Sequence, residues 1–152
     1  VDKTKPKVAL VVASGSILDG NQPEGTVGGD TIANIFKEIQ DDEKVKAVVL
    51  RVDSPGGSAF ASDVIRDAIA ETRKNNIPVV VSMGSYAASG GYYIAANSDT
   101  IVSMPNTLTG SIGVFSMLPN AQKLANENLH SLVKVLFNVK ILPLALKSEE
   151  QR

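Results

Sequence analysis

Pro78-Val79-Val80-Val81-Ser82-Met83-Gly84-Ser85-Tyr86-Ala87-Ala88-Ser89-Gly90-Gly91-Tyr92-Tyr93-Ile94 joins a β-branched apolar run to a cluster of small residues with a serine inside it. Pro78 to Met83 reads as a short buried strand, and the glycines and alanines that follow predict its end. A helix starting at the small residues completes a strand-to-helix elbow. A serine at such an elbow stands beside backbone N–H groups that no helical carbonyl satisfies, which favours an alkoxide or oxyanion there. The packing alternative is that Ala88-Ser89-Gly90-Gly91 is a tight helix start, with the Ser89 hydroxyl capping it. The elbow alone leaves both readings open.

Outward from the elbow, the flanking segments alternate between two periods. Val8 to Val12 is a continuous apolar run, of the kind buried on both faces of a parallel sheet. Ser14 to Gly28 is rich in Gly, Ser, Asn and Pro and reads as loop. Gly29-Asp30 opens a helix with Asp30 as N-cap, and Ile32, Ile35, Phe36 and Ile39 lie on one face. Val45 to Val52 is a second strand, ended by Asp53-Ser54-Pro55-Gly56-Gly57-Ser58. A second helix turns Val64, Ile65, Ala68 and Ile69 inward and Asp63, Arg66, Asp67 and Glu71 to water, and Lys74-Asn75-Asn76 closes it. Strand, helix, strand, helix, strand predicts parallel crossovers and an α/β fold.

Beyond the elbow, Asp99 to Met104 is a fourth strand ended by Pro105. Thr107 to Phe115 runs through a glycine-punctuated turn into another strand, and Pro119 to Leu129 has the pattern of a short helix. Ser131 to Leu146 is apolar without a clear period and receives no element. There is no internal repeat or low-complexity linker, so residues 1–152 read as a single α/β domain. The absence of an initiating Met suggests a fragment or a processed piece.

Composition narrows the function. A formal net charge of −1 and the absence of a Lys/Arg cluster give no reason to expect nucleic acid. With no cysteine and one histidine, thiolate and polyhistidine metal sites are unavailable, and no cofactor is expected. No apolar run approaches the roughly 18 residues of a membrane span, so the chain itself reads as soluble.

Two turns fall at one sheet edge. Ser54-Pro55-Gly56-Gly57-Ser58 ends one parallel strand and Ser89-Gly90-Gly91 the next, at the carboxyl edge where open α/β sheets bind ligands. Backbone N–H groups of Gly57 and Gly90 can converge on a carbonyl attacked by Ser89, as two-donor oxyanion holes do. An isolated Pro-Gly-Gly is more simply a tight turn.

Ser54-Pro55-Gly56-Gly57-Ser58, Ala88-Ser89-Gly90-Gly91-Tyr92-Tyr93 and Leu108-Thr109-Gly110-Ser111-Ile112-Gly113, in this order and spacing, resemble the signal peptide peptidase A (protease IV) family, over about Val8 to Leu129. The resemblance implies a Clp-protease/crotonase-like fold of stacked ββα units with a mainly parallel sheet. It also implies a serine peptidase with a lysine general base, held outward-facing on the bacterial cytoplasmic membrane by an anchor outside this chain, which degrades cleaved signal peptides. Ser89 matches the family's nucleophile, and Ser111 matches the serine that helps position the lysine.

The departure is the lysine. The short-form Lys-Ser-Gly pattern is missing around Lys140, and Asn138-Val139-Lys140-Ile141 aligns with the C-terminal, nucleophile-bearing repeat of the long form, in which the base comes from the N-terminal repeat. A serine hydroxyl needs a base, and burial suits a lysine to the task by lowering its pKa. His130 is a rival, but it lacks an obvious acidic orienter. The expectation is a Ser/Lys peptidase half that needs its N-terminal repeat, takes signal-peptide remnants as substrates and forms a homo-oligomer. The alternatives are a non-catalytic oligomerising half and a crotonase-like acyl-CoA enzyme. The latter would use carboxylates, and the elbow has none.

Overall fold

A computed structural model describes residues 5–114, which lie within one compact unit. The expected Pro119–Leu129 helix, His130 and Lys140 lie outside the described residues.

The described chain runs β1 (Lys7–Ser14), β2 (Ile17–Leu18), β3 (Val27–Gly28), α1 (Gly29–Asp41), β4 (Val45–Ser54), α2 (Ala59–Lys74), β5 (Val79–Ala88), α3 (Gly90–Ala95), β6 (Thr100–Val102) and β7 (Leu108–Gly110). The main sheet has the order β1-β4-β5-β6, with β7 joining β5 farther along, and every pairing in it is parallel. This is the parallel crossover pattern expected from alternating strands and helices.

One core holds the unit together. Ile32, Phe36 and Ile39 of α1 and Ile65 and Ile69 of α2 are buried with Val11, Ala13, Val48, Leu50, Val52, Val79, Val81 and Met83 of the sheet. α2 is capped by Ser58, whose hydroxyl accepts from the Ala61 amide, and it ends at Asn75 followed by Asn76 at φ 59°.

Several boundaries differ from the sequence reading, each for a physical reason. β1 is buried on one face only. Val11 and Ala13 enter the core, whereas Val8, Leu10 and Val12 are 65%, 68% and 54% exposed. The helices all pack into the cluster on the other side of the sheet, so alternation along the strand decides burial even though every residue is apolar.

The segment Ser14–Gly28 is not all loop, because Ile17–Leu18 and Val27–Gly28 pair as a small parallel sheet. α1 therefore starts directly from β3. Its N-cap is Gly28 rather than Asp30, which lies in the first turn with its amide donating to the Gly20 carbonyl.

β5 does not stop at Met83. It continues to Ala88 because Tyr86–Ala88 find a new partner in β7. Between Val52 and Ser54 the β4–β5 register shifts, and there the Asp53 carboxylate accepts from the Tyr86 amide at 2.9 Å. The strand predicted after the glycine turn of Thr107–Phe115 instead precedes Ser111, as β7.

Candidate active site

β5 and β4 deliver two turns to the same place. Ser89 follows the last residue of β5 and has φ 51°, ψ −121°, a conformation that costs a non-glycine residue free energy. Its amide donates to the Gly110 carbonyl at 2.7 Å, so the end of β7 holds the elbow from behind. α3 begins at Gly90.

The capping alternative fails on geometry. Ser89 occupies the N-cap position of α3, yet its side chain makes no capping hydrogen bond. Among the described residues no side chain is bonded to its hydroxyl. Ser89 is half-buried, and its Oγ is left free for chemistry.

The other turn abuts the first. The buried Ser54 hydroxyl accepts from the Gly56 amide at 3.1 Å and folds the chain back. Gly56 sits at φ 100°, where a Cβ would stand 2.7 Å from the Gly90 nitrogen and 2.8 Å from the Ser89 Cβ. Only glycine permits that approach. The sequence-predicted Ser89, Gly57 and Gly90 are thus brought together, with Ser111 immediately beyond Gly110. Ser111 is exposed at φ 52°. Gly57 is exposed at the rim and Gly90 is buried. Among the described residues neither Gly57 nor Gly90 amide donates to a protein acceptor.

Three contributors were not legible as site residues. Ile17 pairs with Gly57 in a parallel bridge: its amide donates to the Gly56 carbonyl at 2.9 Å and its carbonyl accepts from Ser58 N at 2.8 Å. A β-branched, apolar Ile17-Leu18 inside a polar segment was the available signal. Asp19 accepts a short hydrogen bond from the Ser58 hydroxyl. Ser62, also buried, donates to the Ser58 carbonyl at 2.7 Å, and its Oγ lies against Gly90, where a Cβ would come within 2.5 Å.

The helix behind the elbow is tied to α2. The Tyr93 hydroxyl donates to Asp63 at 2.8 Å, and the Arg66 guanidinium lies 5.4 Å from the Tyr93 ring centroid. The hydrogen bond to Asp63 holds the phenol above its ordinary pKa. Among the described residues no group of His, Cys, Asp and Glu side chains could hold a metal ion, and no helix is long and apolar enough to cross a membrane.

This architecture has known relatives. The chain is similar in fold to ClpP1 from Listeria monocytogenes, with a TM-score of 0.57 at 21% identity over 78% of this chain and 64% of that one. The fold is therefore Clp-protease-like, an α/β fold with a mainly parallel sheet. Residues 71–128 match the family model described as Peptidase family S49. The chain is 54% identical over 113 residues to Protease 4 of Haemophilus influenzae, covering 74% of this chain and 18% of that protein. It is 49% identical over 79 residues to the Putative signal peptide peptidase SppA of Enterococcus faecium, covering 52% of this chain and 23% of that protein. The chain thus spans about a fifth of the length of these relatives. The S49 match contains the whole Ser89 elbow, so residues 71–128 carry the Peptidase family S49 domain, and the similarity to Protease 4 extends over 113 residues.

Proposed function

We propose that the chain supplies the nucleophile and oxyanion hole of a serine endopeptidase of the Ser/Lys type, acting on cleaved signal peptides. The observation that carries this reading is the strained, unbonded Ser89, set against a glycine turn that leaves the Gly57 and Gly90 amides without acceptors. In the reaction a base takes the proton of Ser89 Oγ as that oxygen attacks the scissile carbonyl carbon. The negative oxygen is held by the amides of Gly57 and Gly90, and the leaving amine departs with the proton. Water then hydrolyses the acyl-enzyme by the same route. Ser111 acts on the lysine, which it orients toward Ser89.

The base comes from outside this chain, from the N-terminal repeat of the same protein, and the assembled enzyme is an oligomer facing outward from the bacterial cytoplasmic membrane. The motivation is the missing short-form pattern around Lys140. General-base assistance is worth about 10²–10⁴ in rate, so the 152-residue chain alone is expected to fold and to cleave peptides negligibly. The test is hydrolysis of a short fluorogenic peptide by the purified chain, its Lys140→Ala and Ser89→Ala variants, and the chain joined to the lysine-bearing repeat. Activity should appear only in the joined protein and vanish with Ser89→Ala. An active isolated chain that dies in both variants would make Lys140 the base and the chain self-sufficient.

A further inference from the structure

Ile17 stands apart from every residue that the sequence pattern singles out, yet it lies against both glycines whose amides are the proposed oxyanion donors. Its backbone clasps the Gly56–Gly57 turn on two sides, through its amide to the Gly56 carbonyl at 2.9 Å and its carbonyl to the Ser58 amide at 2.8 Å. A Cβ on Gly57 would overlap the Ile17 carbonyl oxygen, so the contact leaves no slack. The side chain reaches the other way. Its Cδ1 lies where a Cβ on Gly90 would meet it at 3.2 Å, and Ile17 is fully buried.

From this juxtaposition we infer that Ile17 is the positioning residue of the oxyanion hole, fixing the Gly57 amide through its backbone and the Gly90 amide through its δ-methyl group. The inference rests on the proposed role of Gly57 and Gly90. The physical ground is that an oxyanion hole works by being preorganised, since donors that must move as charge develops lose their advantage. Gly57 lies in an exposed turn and Gly90 begins a helix of 6 residues, so neither has a long element of its own to hold it. Ile17 links them. The Asp19 carboxylate, bonded to the Ser58 hydroxyl, anchors the same strap two residues on.

Removing the δ-methyl alone isolates the effect. Ile17→Val keeps the β-branch and the backbone bonds but removes the δ-methyl from its place against Gly90, leaving Ser62 Oγ on that side unchanged. Ile69→Val, equally buried in α2 and away from both turns, is the control for loss of one core methyl. In the assembled enzyme Ile17→Val should lower kcat about tenfold or more with KM little changed, because small misplacement of catalytic groups is costly. Ile69→Val should lose similar thermal stability without the kcat loss. A second readout needs no turnover: in the 152-residue chain the Gly90 amide resonance should shift and broaden in Ile17→Val and stay in place in Ile69→Val.

Equal kcat in the two variants, with Ser89→Ala inactive, overturns the inference and leaves the reading of the site standing. An unmoved Gly90 amide in Ile17→Val overturns it as well. Turnover retained by Ser89→Ala would instead bring down the reading of the site, and the inference with it.

Discussion

Ser89 holds a backbone conformation that its side chain makes expensive. At φ 51°, ψ −121° a non-glycine residue costs of order 1–3 kcal/mol, whereas the extra unfolded-state entropy of glycine costs about 0.5–1 kcal/mol. The strain outweighs the entropy. Ser89→Gly is therefore expected to raise the unfolding free energy of the chain by about 1 kcal/mol while removing the proposed nucleophile, an exchange of stability for function at one position. Chemical denaturation of the two proteins checks it, and a less stable glycine variant would show that the strain is relieved by its surroundings. Gly56 is the converse case. Gly56→Ala meets both an unfavourable φ of 100° and the Ser89–Gly90 backbone, so about 2–4 kcal/mol should be lost together with activity. A variant that unfolds at the same denaturant concentration would mean the turns are not in contact. The convergence of the elbow and the glycine turn was legible from sequence, because each ends a parallel strand and both strand ends fall at the same carboxyl edge, although either turn alone reads as simple packing. What the sequence did not show was the company they keep. Ile17 acts through backbone pairing and close approach, Asp19 and Ser62 through side-chain hydrogen bonds to Ser58, and none of these leaves a motif.

The strands and helices followed hydrophobic periodicity wherever a core face existed, as in α1 and α2. They departed from it where tertiary partners took over. β5 was expected to end at Met83, but β7 lends its edge to Tyr86–Ala88 and the Asp53 carboxylate bridges the register shift. Val8 to Ala13 of β1 are all apolar, and only the placement of the helices decides which face is buried. The start of β5 has its own anchor: Asp99 accepts from the Val79 amide at 2.8 Å and from Arg73 Nε at 2.9 Å. The bond from Arg73, aided by that amide, lowers the Asp99 pKa below its usual value. A carboxylate with a depressed folded pKa stabilises above its unfolded value, about 3.9, and that contribution is lost as pH falls through the folded value. Asp99→Ala should thus cost about 1 kcal/mol at pH 7, below the usual range for a charged hydrogen bond because the side chain is partly exposed. The difference from wild type should shrink as pH drops below about 4. Thermal melts across that range decide it, and a gap that stays constant into strong acid would assign the loss to packing instead.

At the scale of the whole molecule, the Clp-like parallel sheet brings two strand ends to one edge, and that edge carries the proposed site. The proposed base from outside the chain rests on the short-form lysine pattern that is missing around Lys140. The central claim is that the three groups act on one carbonyl. The most direct measurement is the crystal structure of the assembled enzyme after reaction with a peptide aldehyde. The expected adduct joins the aldehyde carbon to Ser89 Oγ, with its oxygen within about 3 Å of both the Gly57 and Gly90 nitrogens. An adduct on another residue, or an oxygen turned to solvent away from both amides, would contradict it.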